Sequence, residues 1–525
     1  MDSPEYTYVN PFTAPLRRQR NKARVSSRFI TIVAIIVIWG VALTVVNIYE
    51  IHKMRIEHDG PVHPVVEGAV GKETKKSPLV WIEAKKKETG YLKHVFAVFE
   101  RIGYVFGEAD SDWDVMWSHD YPFVKLAAYV SNLKPHQKVN HFPGSGYITS
   151  KVSLATSPFS FMPLAFKLPS DKDMFLNHSK HHPDKMWVQK SNNHRGIQIK
   201  KITSLDLDNV DTFVQEYISR PFLIDGKKFD IGVYTILTSI DPLRIYIVDS
   251  DVLLRFCIKD YYPFDAGDTP KYVVEDNYTP VWDMPSLRKI YEDMHHSFKD
   301  TFDIYLKQQG LNADKMWSDI RDAIASVHLE KEPLMKKASS KYKNGRNFFE
   351  MVRFDFVLDI DMKLYLMEVN MSPNLSSGFL SQNRFLYEHV VYNTLSLVGV
   401  AKSVPESVSK SSDAAYEMQV SDRNIVVFGD LCATQKCAKS CLIEECVLCH
   451  QCLTLDQKKI LKSAYLEHIN RGTCRRVFPP KIVHREALEW REAGAGDYFK
   501  SLSAANKLMY MWFVGKCRQD EAWCQ

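Results

Sequence analysis

Arg353–Asn370, RFDFVLDIDMKLYLMEVN, reads as two apolar strands joined by a turn at Asp361-Met362. A symmetric hairpin about that turn sets Asp359 opposite Leu364 and Asp355 opposite Glu368. Side chains alternate faces along a strand, so Glu368 and Asn370 point the same way and Asp355 joins them from the neighbouring strand. Two carboxylates and an amide oxygen then converge on one point. Carboxylates at cross-strand distance repel unless a cation lies between them, and an all-oxygen set suits Mg²⁺. A solvated hairpin face is the alternative, disfavoured because Phe354, Phe356, Leu366 and Met367 make both strands strongly apolar.

Working outward, two lysines are candidates for phosphate contacts. Lys190 ends the strand-like MWVQK and precedes a loop of small and basic residues through Arg195 and Gly196, and Lys228 follows an Asp225-Gly226 turn. Either one alone reads as a surface lysine, and a loop with a single glycine is a weak cradle. Beside an oxygen-ligand metal site, the two describe a nucleotide bound through Mg²⁺. The periodicity is mixed. Leu79–Ile82, Val233–Leu237 and Leu243–Val248 read as strands. Leu92, Val95, Phe96 and Phe99 recur at helical spacing, as do stretches of 286–309 and 385–399. Strands alternating with helices point to an α/β or α+β enzyme-like body rather than a repeat or a solenoid.

MWVQKSNNHRGIQI, FVQEYISRPFLIDGKKFDIGVYTILTSIDPLRIYI and FFEMVRFDFVLDIDMKLYLMEVNMSPNLSS resemble the ordered motifs of the tubulin–tyrosine ligase-like family, and DSDWDVMWSH and KVNHFPGSGYITSK resemble its N-terminal blocks. The resemblance covers about 110–400. It implies an ATP-grasp-like architecture with ATP between two α+β subdomains. Lys190, Arg195, Gly196 and Lys228 would then serve the nucleotide, Gln215, Glu216, Tyr217 and Ile218 would form the adenine-facing strand, and Asp355, Glu368 and Asn370 would hold Mg²⁺. Lys228, Asp230, Arg255 and Glu368 would line the reacting centre. The implied reaction joins glutamate to a glutamate side chain of tubulin: ATP phosphorylates the acceptor carboxylate, and the incoming amine displaces phosphate. Such chemistry rests on positioning and charge neutralisation. After Lys228-Phe229-Asp230-Ile231, where the family usually has Arg, this chain has Gly232. The expected consequence is one cation fewer, and the alternative reading is a weakened relative that binds a nucleotide or a partner. Lys331, Lys336, Lys337, Lys341, Lys343 and Arg346 read first as a solvated, partly disordered loop, and under the family resemblance they could attract an acidic tubulin tail.

The 525 residues carry 68 Lys plus Arg against 63 Asp plus Glu, a net +5 that gives no indication of nucleic-acid binding. Composition excludes a disordered or low-complexity chain, since 45% of residues are hydrophobic and 25% charged. The charge is unevenly placed. Residues 1–28 hold Arg17, Arg18, Arg20, Lys22, Arg24 and Arg28 against Asp2 and Glu5, 6 − 2 = +4, leaving +1 for the rest. Phe29–Val46 then runs for eighteen uncharged residues and extends to Ile48. That length predicts a transmembrane helix over 29–48, with the N-terminus cytosolic by the positive-inside rule and the body lumenal. A lumenal body conflicts with cytosolic tubulin. The glycosylation sequons at Asn177 and Asn277 are consistent with it, although such sequons are frequent by chance.

A stem follows at 49–77, the ligase-like body at 78–400 and a Ser-rich linker at 401–425. The segment 426–525 holds nine of the ten Cys, which predicts a disulfide scaffold. Zinc at Cys446, Cys449, Cys452 and His450 is the alternative. Cys257, in VLLRFCI, reads as a buried small hydrophobe, and His178, His181 and His182 read as part of a polar loop.

Overall fold

The computed structural model describes Trp39 and residues 77–85, 90–191, 197, 199–401, 419–443, 446–490 and 496–525. The basic tail, the expected span 29–48 apart from Trp39, the stem as far as residue 76, and 402–418 of the linker lie outside them. Among the described residues no helix is long and apolar enough to cross a membrane. The expectation of a single-pass membrane protein is corrected on that finding. Length alone does not suffice: the longest helix, Ala313–Ser339, has 27 residues but carries Asp314, Lys315, Asp319, Arg321 and Asp322 in its first turns. Each charge at a bilayer centre costs about 2.5–3.5 kcal/mol.

Residues Lys75–Gln525 form one compact α and β unit. At its centre is a seven-stranded sheet, all of whose pairs are antiparallel. Its path runs β14 (Leu364–Asn370), β13 (Glu350–Leu358), β10 (Lys227–Ile240), β11 (Leu243–Val248) and β15 (Cys474–Phe478), with β9 (Leu223–Ile224) and β12 (Leu253–Phe256) also pairing with β10. Every residue of β11 and β13 is buried, the charged Arg244, Glu350, Arg353 and Asp355 among them, so both strands are covered on both faces. The outer strand β15 comes from the Cys-rich segment and is buried from Arg476 to Phe478. A parallel sheet, β2 (Val105–Gly107), β1 (Leu79–Glu83), β3 (Val115–Ser118) and β4 (Lys138–Val139), lies at the N-terminal side of the chain. An antiparallel sheet, β5 (Ala165–Leu168), β8 (Thr212–Glu216), β6 (Trp187–Ser191) and β7 (Ile199–Lys200), forms a smaller layer with its own core of Phe166, Phe175, Trp187 and Val214.

The hairpin register is as expected only near its open end. Asp355 pairs with Glu368 and Arg353 with Asn370, but a bulge after Asp355 shifts the rest by one, so Leu358, not Asp359, pairs with Leu364. Asp359 instead caps the turn, accepting hydrogen bonds from the Asp361 and Lys363 amides at 3.0 and 2.9 Å. This Asx-type capping of a longer loop is the physical reason for the slip.

Helices cover the sheets: α1 (Lys93–Arg101), α2 (Gly146–Thr149), α3 (Lys151–Ala155), α4 (Lys172–His181), α5 (Pro285–Asp293), α6 (Phe298–Gln308), α7 (Ala313–Ser339), α8 (Arg384–Leu397), α9 (Leu455–Asn470) and α10 (Ala504–Gln519). The helical spacing within 286–309 resolves into two helices, separated where His295 and His296 adopt positive φ. Two expectations are corrected here. His178 and His181 belong to α4 rather than a loop, because Phe175 and Leu176 give that segment an apolar face against the small sheet. The basic stretch begins inside α7. Lys331 is buried with its Nζ donating to Ser157 Oγ at 2.8 Å, and Lys336 pairs with Glu332 and Asp241, so only Lys337, Lys341 and Lys343 of that stretch's lysines face outward.

In the C-terminal segment three disulfides interlock within 21 residues, Cys432–Cys449, Cys437–Cys446 and Cys441–Cys452, and Cys517–Cys524 forms a fourth. The thiols of Cys257 and Cys474 are free and buried. His450 pairs with Asp422 rather than with sulfur. α9 returns to the central sheet. Its Glu467 accepts from Arg244 Nε and NH2 at 2.8 and 2.9 Å, from Thr238 Oγ1 at 2.9 Å and from the Tyr246 hydroxyl at 3.2 Å, all buried.

Candidate functional site

The site gathers on the face of β10, β12, β13 and β14 near the open end of the hairpin. Asp230 on β10 lies opposite Arg255 on β12. The guanidinium grips its carboxylate in a fork, Nε to Oδ1 at 2.9 Å and NH2 to Oδ2 at 2.8 Å. Arg255 NH2 also reaches Asp355 Oδ2 at 3.1 Å. From the other side Arg353 donates to the same carboxylate through Nε at 2.6 Å and NH2 at 2.8 Å. Asp355 is only 2% exposed. Two carboxylates and two guanidiniums therefore alternate along one face, an arrangement that offsets the cost of burying each charge.

Asn370 Nδ2 donates to Asp355 Oδ2 at 2.8 Å and to Glu368 Oε1 at 3.1 Å, so all three expected metal residues meet at one point. The two carboxylates are bridged there by a positive dipole. A half-turn of the amide would present its oxygen to the same place, giving three hard oxygen donors that fit Mg²⁺. Glu368 also receives Lys151 Nζ on Oε2 at 2.6 Å. Burial works against the Glu368 carboxylate, but the Lys151 ammonium and the Asn370 amide outweigh it and hold the pKa down to about 2. It is a carboxylate at any physiological pH.

Lys190 projects from β6 and donates to Gln215 Oε1 on β8 at 2.9 Å. Burial pushes its pKa down to about 8, against the pull of Glu368 and with Lys151 and Lys228 adding repulsion. Lysines 151, 190 and 228 thus lie within electrostatic reach of one another. Lys228 itself turns inward, with Nζ on the Tyr272 carbonyl at 2.9 Å and 5.4 Å from the centre of the Tyr217 ring. Burial lowers its pKa as well. Of the expected adenine-facing strand, Gln215 and Glu216 end β8, while Tyr217 and Ile218 lie just beyond it. Glu216 pairs with Lys185 at 2.7 Å, and Tyr217 shares a hydrogen bond with Tyr261. Arg195 and Gly196 are outside the described residues.

Residues 130–410 match the tubulin-tyrosine ligase family. A relative described as a probable tubulin polyglutamylase, ttll-15 of Caenorhabditis elegans, is 40% identical over 451 residues, covering 83% of this chain and 84% of its own. This chain belongs to the tubulin-tyrosine ligase family. Two human members are more distant. Tubulin monoglutamylase TTLL4 is 28% identical over 73% of this chain and 34% of its own length, and tubulin polyglutamylase TTLL6 is 29% identical over 57% and 35%. The chain therefore spans about a third of those two human relatives.

Two residues of this family member's site lie inside the quoted motifs without being singled out there. Lys151 is the first residue of α3, whose N-cap Ser150 accepts from the Ser153 amide. Its position after a capping serine was the available signal. Arg353 was legible as a cation two residues from Asp355, hence on the same strand face. Its side chain lies above Gly232, where a Cβ would come within 2.8 Å of Arg353 Cδ.

Proposed function

We propose that this chain is an ATP- and Mg²⁺-dependent ligase joining glutamate to glutamate side chains of tubulin. The observation that carries the reading is the convergence of Asp355, Glu368 and Asn370 beside three lysines, in a family whose relatives bear the names of tubulin glutamylases. Asp355, Glu368 and Asn370 would hold Mg²⁺, and Lys190 and Lys228 would face phosphate oxygens. Bound nucleotide supplies activation of the acceptor carboxylate. The chain's own residues supply the rest. Lys190, held by Gln215, carries positive charge below about pH 8. The Asp230–Arg255 fork fixes a guanidinium at the edge of the site. Lys151 neutralises Glu368 until a stronger cation takes its place. The outward Lys337, Lys341 and Lys343 offer positive potential to an acidic tubulin tail.

The test is ATP-dependent incorporation of labelled glutamate into tubulin by the full chain. Glu368→Gln keeps the shape and removes the charge, and should lower turnover by about 10²- to 10³-fold, the usual loss for one electrostatic element of a reacting centre. Wild type no faster than Glu368→Gln would refute the proposal.

A further inference from the structure

Gly232 stands in the middle of a fourteen-residue strand, where a glycine forfeits packing and marks a close approach by another group. The approaching group is Arg353. In the β10–β13 register Gly232 lies opposite Asp355 and Tyr234 opposite Arg353. Arg353 leans along its own strand to its same-face neighbour Asp355, and its stem crosses directly above Gly232. A Cβ at residue 232 would lie 2.8 Å from Arg353 Cδ, 3.1 Å from Nε and 3.2 Å from Leu253 Cβ. The fork of Arg353 on Asp355 thus runs through space that a side chain at residue 232 would need.

We propose that Gly232 and Arg353 are a matched pair, in which β13 supplies the cation that residue 232 on β10 does not, and that Arg353 is thereby a positioning residue for Asp355. The two oxygens of Asp355 are pinned by guanidiniums on both sides, Arg353 with its fork and Arg255 with NH2. The carboxylate is left with one orientation, toward Asn370 and Glu368. An arginine rooted at 232 would start from the same face and compete for the same volume, so the guanidinium can come from either strand but not from both.

The inference rests on the ligase reading for the identity of the ligand, and its experiment separates the two. Affinity for Mg²⁺-ATP is measured by calorimetry on the full chain, with melting temperature alongside. Arg353→Gly and Gly232→Arg should each weaken binding by about 10- to 100-fold, as loss of a partner of a metal-ligating carboxylate does. The double variant Gly232→Arg/Arg353→Gly should recover most of that loss, whereas independent effects would multiply. Separate KM values for ATP and glutamate then say whether the relocated charge serves phosphate or the amino acid's carboxylate. Single variants that bind as wild type does would overturn the pairing, as would a double variant no better than the worse single. Recovery of melting temperature without recovery of affinity would reduce Arg353 to a structural ion pair, which also overturns it. Wild type that binds the nucleotide, with the double variant recovering, but transfers no glutamate would leave the pairing standing and remove the ligase reading. Wild type that binds no Mg²⁺-ATP would remove both.

Discussion

Replacing Glu467 by glutamine should destabilise the central sheet far more than its distance from the site suggests. Glu467 is the anion of a buried cluster, taking two hydrogen bonds from Arg244 and one each from Thr238 and Tyr246. Arg244 is 2% exposed, so losing the carboxylate removes the buried anion that receives its Nε and NH2. Removing one partner of such a pair costs about 3–5 kcal/mol, compared with about 0.5 kcal/mol or less for an exposed helical pair such as Lys315–Asp319. The larger figure changes the folded to unfolded ratio by roughly 10²- to 10³-fold or more. Urea unfolding followed by tryptophan fluorescence, with Lys315→Ala as the control, reads the difference as a lower midpoint. Glu467→Leu combined with Arg244→Leu should cost less than Glu467→Gln alone, because no charge is then stranded. A Glu467→Gln midpoint equivalent to less than about 1 kcal/mol of loss would refute the reasoning.

Three further outcomes are expected. Because burial lowers the Lys190 pKa to about 8, its cation is lost as the pH rises through that value, and the KM for ATP should climb above pH 8. Lys190→Arg should carry tight binding to higher pH. The same shift makes the fold gain stability between about pH 8 and the ordinary 10.5, since there the unfolded chain binds the extra proton. Gly144 has φ +87°, and a Cβ on it would lie 2.9 Å from Ala338 Cβ and 3.2 Å from the Met335 Cα. Gly144→Ala should therefore cost about 1–3 kcal/mol in a thermal melt by straining the contact of α2 with α7. Peptide mapping without reduction should recover the four cystine pairs described above, with Cys257 and Cys474 alkylated only after unfolding. A zinc atom in the mass of the native protein would contradict that assignment.

The sequence made the hairpin and its pairing of Asp355 with Glu368 legible, because a period-two apolar pattern around a turn leaves few registers. It did not disclose the bulge, which depends on Asp359 capping the turn through its own side chain. The cluster of Asp230, Arg255 and Asp355 needed the β10–β12 and β10–β13 pairings, which no local pattern encodes. Lys228 reads from sequence as a lysine facing phosphate, and no local pattern discloses that its Nζ folds back onto the Tyr272 carbonyl. The apolar run at 29–48 shows the opposite failure. Hydropathy alone pointed to a membrane span, and no helix among the described residues has that length and apolarity.

The outer strand β15 carries a consequence for synthesis. Its partner β11 is made early, yet Cys474–Phe478 emerge near the end of the chain. At roughly 5–20 residues per second, β11 waits on the order of ten to fifty seconds with an open hydrogen-bonding edge of buried-type residues. The sheet that carries Asp355 and Glu368 thus cannot be closed while the ribosome is still working on its second half. A chain cut short before residue 474 would lack β15 and leave the β11 edge open.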